Sequence, residues 1–190
     1  MADNLLNLGY KNITVLDISE NAINSAKIRL GDKEQHINWV VSDIVEFNPQ
    51  QQYDVWIDRA AFHFLKNEES ITIYFNLTNK YVSKNGYLIM STFSDKGPDK
   101  CSGLEVKQYS KETITKVFEQ GFNREHCVFE DHITPLHIEQ NFLYALFTHK
   151  EDGLKPSHNL IADQYVKYQS DTVQNTGPSC DINNKDCCCS

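Results

Sequence analysis

"NITVLDIS", residues 12–19, decides how the rest of the chain is read. Ile13 to Leu16 form a short apolar, β-branched run that ends on one carboxylate, Asp17, and Ser19 then opens a helical pattern. Ala22, Ile23, Ala26 and Leu30 fall on one face of that helix, Ser19 is its cap and Gly31 its stop. The stretch is therefore one strand-to-helix unit with an acid at the strand tip. That acid either ends a turn in solvent or holds a ligand.

The same grammar repeats along the chain. "DNLLNL", 3–8, reads as the end of a helix stopped by Gly9. A second strand is expected over Ile37 to Val41, ending at Ser42-Asp43, and a third over "YDVWID", 53–58, after the polar loop "NPQQQ". A helix from about Glu68 to Ser83 follows, with Gly86 as its stop, and then a fourth strand, "YLIMSTF", 87–93. Strands alternating with helices at this spacing imply βαβ units in a mainly parallel sheet with helices on both faces. Ligands of such sheets sit at the carboxyl ends of the strands, which points to Asp17, Asp43 and Asp58.

The remainder changes character. After a polar, Gly-containing loop over 94–109 and a helix from Ser110 to Gln120, "EHCVFEDHIT" and "QNFLYALFTHK" read as a C-terminal antiparallel β-hairpin. The length suits one α/β domain, expected over 1–150, with a disordered tail over 151–190 where apolar content falls. Four of the six cysteines, Cys180, Cys187, Cys188 and Cys189, lie in that tail, so they are no framework for the fold. "CDINNKDCCCS" admits a soft-metal clamp or a prenylation box at Cys187 to Ser190, but an unstructured tail is the better reading, and no metal is expected.

A formal charge of -8 and a sequence pI near 5.3 argue against a nucleic-acid or acidic-membrane surface. No targeting segment and no apolar run of about 20 residues appears, so a cytoplasmic protein is expected. The glycosylation sequons at Asn12 and Asn76 are accordingly read as accidental.

Four segments, "VLDIS" (15–19), "VVSDIVEF" (40–47), "YDVWIDRAAFHFL" (53–65) and "GPDKCSGLEVKQYS" (97–110), together with the order of elements over residues 3–150, give the chain a likeness to a known family. It resembles the class I S-adenosylmethionine-dependent methyltransferases, in a small bacterial-type branch. The resemblance implies a Rossmann-like α/β fold closed by an antiparallel hairpin, S-adenosylmethionine as cofactor and a small-molecule acceptor. It further implies that Asp17, with Ile18, holds the cofactor ribose and that Asp43 with Ile44 faces the adenine. An ionised carboxylate suits the ribose because it accepts two hydroxyl hydrogen bonds.

In the same resemblance Asp58 stands at the methionine end, where it orients the cofactor amino group or is balanced by Arg59, itself a substrate candidate. His63 is a base or orienter by its ordinary pKa. Its apolar neighbours Phe62, Phe64 and Leu65 favour the other reading, a hydrogen-bonded framework histidine. Cys101 and Gly103 are candidates for a substrate-side loop, with a small buried packing residue the equal alternative for Cys101.

The departure from the family lies at the start. The usual first strand and its glycine-rich loop should precede residue 3, and Met1-Ala2-Asp3 reads like the interior of the family's first helix. The chain is thus expected to be N-terminally truncated, through a short gene model, a variant transcript or an internal start. In the family that strand lies between the strands ending at Asp17 and Asp58. Each ladder group left unsatisfied there costs about 1 to 3 kcal/mol, against a domain stability of about 5 to 15 kcal/mol. Self-association that donates a strand is one expected remedy. Besides the enzyme, two other readings stand: an inactive truncated methyltransferase-like module working in binding or regulation, and a nucleotide-dependent dehydrogenase, which the terminal hairpin disfavours.

Overall fold

In the computed structural model, residues 1–134 and 137–150 are described; the expected tail over 151–190, with its cysteine cluster, lies outside the described residues. The chain divides into two compact units, one comprising Met1–Gln50 and the other beginning at Gln51. The sequence reading places both in one domain.

The first unit runs α1 (Ala2–Asn7), β1 (Ile13–Asp17), α2 (Glu20–Leu30) and β2 (Ile37–Val41), with a 3-10 turn over Gly31–His36 joining the last two. The Ser19 hydroxyl caps α2 by accepting the Ala22 N–H at 3.2 Å, and Gly31 ends it at φ +56°, a conformation that favours glycine. β1 and β2 are parallel, with Ile13 beside Ile37 and Asp17 beside Val41. The βαβ unit read from residues 12–41 is thus present. Arg29 on α2 reaches back to Asp3 on α1 at 3.1 Å, an exposed pair.

The second unit contains β3 (Tyr53–Arg59), α3 (Glu68–Tyr81), β4 (Val82–Phe93), the short pair β5 (Lys100–Cys101) and β6 (Leu104–Glu105), α4 (Lys111–Phe118), β7 (Phe122–Ile133) and β8 (Glu139–His149). Its main sheet has the order β3-β4-β8-β7. β3 and β4 are parallel, while β8 runs antiparallel to both β4 and β7. The expected terminal hairpin therefore closes a Rossmann-like arrangement. Among the described strands β1 and β3 are both end strands, each of its own sheet.

α3 and α4 cover one face of this sheet. Phe118 of α4 lies 5.3 Å from Phe147 of β8 and 6.3 Å from Tyr74 of α3, ring centre to ring centre. Phe62, Tyr74, Leu88, Met90, Phe118 and Phe147 are all fully buried there, and burial of this kind is the main favourable contribution to the fold.

Two boundaries differ from the sequence reading. β4 begins at Val82, where a helix end was expected, because Val82 already pairs with Tyr53 before a register shift brings Tyr87 beside Val55. Gly86 serves that irregularity and is not a helix stop: a Cβ there would lie 2.7 Å from the Ser83 carbonyl oxygen and 2.9 Å from that of Asp54. The loop over 94–109 also carries structure, the β5–β6 hairpin, whose turn residues Ser102 and Gly103 both have positive φ.

Candidate functional site

The first unit gathers four of the sequence candidates. Asp17 and Asp43 both follow parallel strands at their carboxyl ends, and the Ser42 N–H donates to the Asp17 carbonyl at 3.1 Å, tying the two tips together. Asp17 accepts the Ser19 N–H through Oδ1 at 2.8 Å, which fixes the carboxylate at the strand-to-helix turn. Its Oδ2 has no hydrogen-bond partner among the described residues. Asp43 accepts the Val45 N–H through Oδ1 at 3.0 Å. Ile18 is 70% exposed and Ile44 half-buried, so an apolar surface flanks both acids.

The second unit holds the others, and Asp58 is the best defined. It is buried, its Oδ1 accepts the N–H groups of Ala61 and Phe62 at 3.1 Å each, and its Oδ2 accepts the Tyr74 hydroxyl at 2.8 Å. Burial pushes its pKa up, against the opposing pull of the Tyr74, Phe62 and Ala61 hydrogen bonds. Burial and the Asp58 charge in turn raise the Tyr74 pKa well above its ordinary value, so the phenol keeps its proton and donates it. Both carboxylate oxygens are engaged within the protein. Their work is to fold the chain back after β3, where Ala60 takes φ +59° and its N–H reaches the Ser91 carbonyl at 2.8 Å.

His63 follows in a 3-10 turn over Phe62–Phe64. Its ring is fully buried between Phe64 and Phe93, each 4.7 Å away, and its Nδ1 accepts the Phe93 N–H at 3.3 Å. The proton therefore sits on Nε2, which has no partner among the described residues. Burial lowers the pKa to about 4. Because its one lone pair is already engaged, this geometry gives His63 the framework arrangement, not that of a poised base.

Arg59, the next residue after Asp58, points to the opposite face and is exposed, with no ion pair among the described residues. Cys101 is buried in a cluster with Ala60, Phe93 and Phe142. Gly103, at φ +79°, meets the demand of the β5–β6 turn. Tyr74, Ser91, Glu130 and Tyr144 were not among the sequence candidates. Tyr74 acts through Asp58, while the other three share a sheet face with Arg59 that only strand register reveals.

A family model described as nodulation protein S (NodS) matches residues 2–106, more than half of the chain. The chain belongs to that family. Its fold is that of the class I S-adenosylmethionine-dependent methyltransferases. This chain is 33% identical over 82 residues to malonyl-[acyl-carrier protein] O-methyltransferase 2 of Ilyobacter polytropus, covering 43% of this chain and 30% of that one. It is 28% identical over 86 residues to nodulation protein S of Rhizobium fredii, covering 45% and 48%. The matches thus span less than half the length of these curated relatives. The N-methyltransferase NodS from Bradyrhizobium japonicum, solved with S-adenosyl-L-homocysteine, superposes with a TM-score of 0.58 at 18% identity, covering 74% of this chain and 67% of that one. At that identity the likeness shows the fold.

The His63 geometry makes a pH prediction. The unfolded chain titrates this histidine near its ordinary 6.5, the folded chain only near 4, so above pH 6.5 the ring contributes nothing to pH dependence. As pH falls from 6.5 toward 4, the unfolded state takes up a proton that the native state refuses, and stability drops by up to about 1.4 kcal/mol per pH unit. His63→Asn keeps an acceptor for the Phe93 N–H and removes that component. Urea midpoints of both proteins from pH 7 to 4 should therefore converge as pH falls; parallel curves would contradict the assignment.

Proposed function

We propose that this chain takes part in methyl transfer from S-adenosylmethionine to a small molecule, with the adenosine end of the cofactor held by the first unit. The observation that carries the reading is Asp17: a carboxylate fixed at a parallel strand tip through Oδ1, with Oδ2 left to accept a ribose hydroxyl. Asp43 and Ile44, at the tip of the neighbouring strand, are assigned to the adenine. The sulfonium cofactor supplies an already activated methyl carbon. What is asked of the protein is alignment of the acceptor and exclusion of water. Asp58 supports this indirectly, by setting the turn that carries Arg59 and His63, and Arg59, Cys101 and Gly103 are assigned to the acceptor side. A cytoplasmic setting is part of the same proposal.

Calorimetric titration with S-adenosylhomocysteine tests it. Micromolar binding, weakened at least about tenfold by Asp17→Ala, is expected, since loss of a hydrogen bond to a charged group is worth about 1.5–3 kcal/mol. Equal affinity of the two proteins would remove Asp17 from the site, and absence of binding by a folded chain would remove the reading itself.

A second reading, an inactive binding or regulatory module, is favoured by the internal engagement of Asp58 and His63. Cofactor binding without methyl transfer to any acceptor in a screen would support it. Self-association belongs to the proposal as well: β1 and β3 are end strands, and sheets gain strands at their edges. Light scattering should then show a dimer that grows with concentration, and a constant monomer mass would exclude it.

A further inference from the structure

The main sheet of the second unit has α3 and α4 on the face that bears Leu88 and Phe147. The opposite face carries a polar row. Arg59 on β3 stands beside Ser91 on β4, Ser91 beside Tyr144 on β8, and Tyr144 beside Val128 on β7. One step toward the carboxyl ends of β3 and β4, Phe93, Phe142 and Glu130 form the next row, so Glu130 shares this face, diagonal to Tyr144.

Three features set this row apart from ordinary surface. Arg59 and Glu130 are oppositely charged and approach the same phenol, yet neither has an ion-pair partner among the described residues. The Tyr144 hydroxyl, half-buried, hydrogen-bonds Ser91, and it lies in the fields of both Arg59 and Glu130. Finally, the row borders a buried apolar cluster in which Phe64 packs against Phe93 and Phe142. Three strand spacings of about 4.8 Å separate the backbones of β3 and β7, so Arg59 and Glu130 reach toward Tyr144 from the two edge strands of the sheet.

We propose that this face seats the acceptor and that the acceptor is a small zwitterion, its anionic group on Arg59, its cationic group on Glu130 and the Tyr144 hydroxyl between them. The inference rests on the methyltransferase reading and names its acceptor class. A guanidinium is suited to a carboxylate by its paired N–H groups, and a carboxylate to an ammonium. Opposed charges on one face also select against a ligand carrying either charge alone, which leaves one protein charge facing a group it does not match.

The test is binding to the full 190-residue chain without cofactor, followed by amide chemical shifts, with glycine, 4-aminobutyrate and 6-aminohexanoate as zwitterions of increasing span and butyrate and butylamine as single-charge controls. One of the zwitterions should bind about tenfold more tightly than both controls, with shifts on β3, β4, β8 and β7 near the row. Arg59→Gln should erase its advantage over butylamine, and Glu130→Gln its advantage over butyrate. Tyr144→Phe should weaken it severalfold. Arg59 is exposed and Glu130 half-buried, so these variants are expected to fold. Equal affinity for zwitterions and controls, or a preference indifferent to Arg59→Gln and Glu130→Gln, would overturn the proposal. A parallel titration with S-adenosylhomocysteine reports on the cofactor reading separately, so either can fail without the other.

Discussion

The second unit depends on a buried carboxylate. Asp58 leaves β3 inside the core, where an uncompensated charge would be costly, and it is retained because three donors converge on it: the N–H groups of Ala61 and Phe62 and the hydroxyl of Tyr74. These bonds do more than neutralise a penalty. They turn the chain sharply through Ala60, seat Phe62 among Tyr74, Tyr109 and Phe118, and bring His63 under Phe93. Arg59 is consequently presented on the other face of the sheet, beside Ser91. The bonds seen at Asp58 are those of a carboxylate that holds a turn.

The first unit uses a different device for a related end. Its acids are half-buried, and each is held by one backbone N–H, Asp17 by Ser19 and Asp43 by Val45. A carboxylate held in this way is oriented yet retains acceptor capacity, since each oxygen has two lone pairs. The contrast with Asp58, whose oxygens both have protein partners, separates acids that can take a ligand from one that organises its surroundings.

Much of this was legible in the sequence for local reasons. Strand tips with acids, Ser19 as a helix cap, and glycine after α2 are signals carried by neighbouring residues, and the Ser19 cap accepts the N–H three residues on. The terminal hairpin was readable from its two β-rich runs. What could not be read depends on pairing between distant segments. The early start of β4 follows from Val82 meeting Tyr53, and the polar row from four strands falling into register. The 3-10 turn at Phe62–Phe64 depends on the Asp58 side chain, and alternation alone cannot say that this acid points into the core. His63 was a matter of weighing two readings, a base and a framework residue, and the sequence could not show that its Nδ1 meets the Phe93 N–H.

The claim that Asp58 is a positioning residue is tested most directly by a double-mutant cycle between Asp58→Asn and Tyr74→Phe, read from urea unfolding. Hydrogen bonds to a buried charged group are worth about 1.5–3 kcal/mol, so the two substitutions should couple by about 2 kcal/mol, with the double variant far less destabilised than the sum of the single ones. Additivity within about 0.5 kcal/mol would contradict the account, because it would mean that the carboxylate and the phenol do not depend on each other.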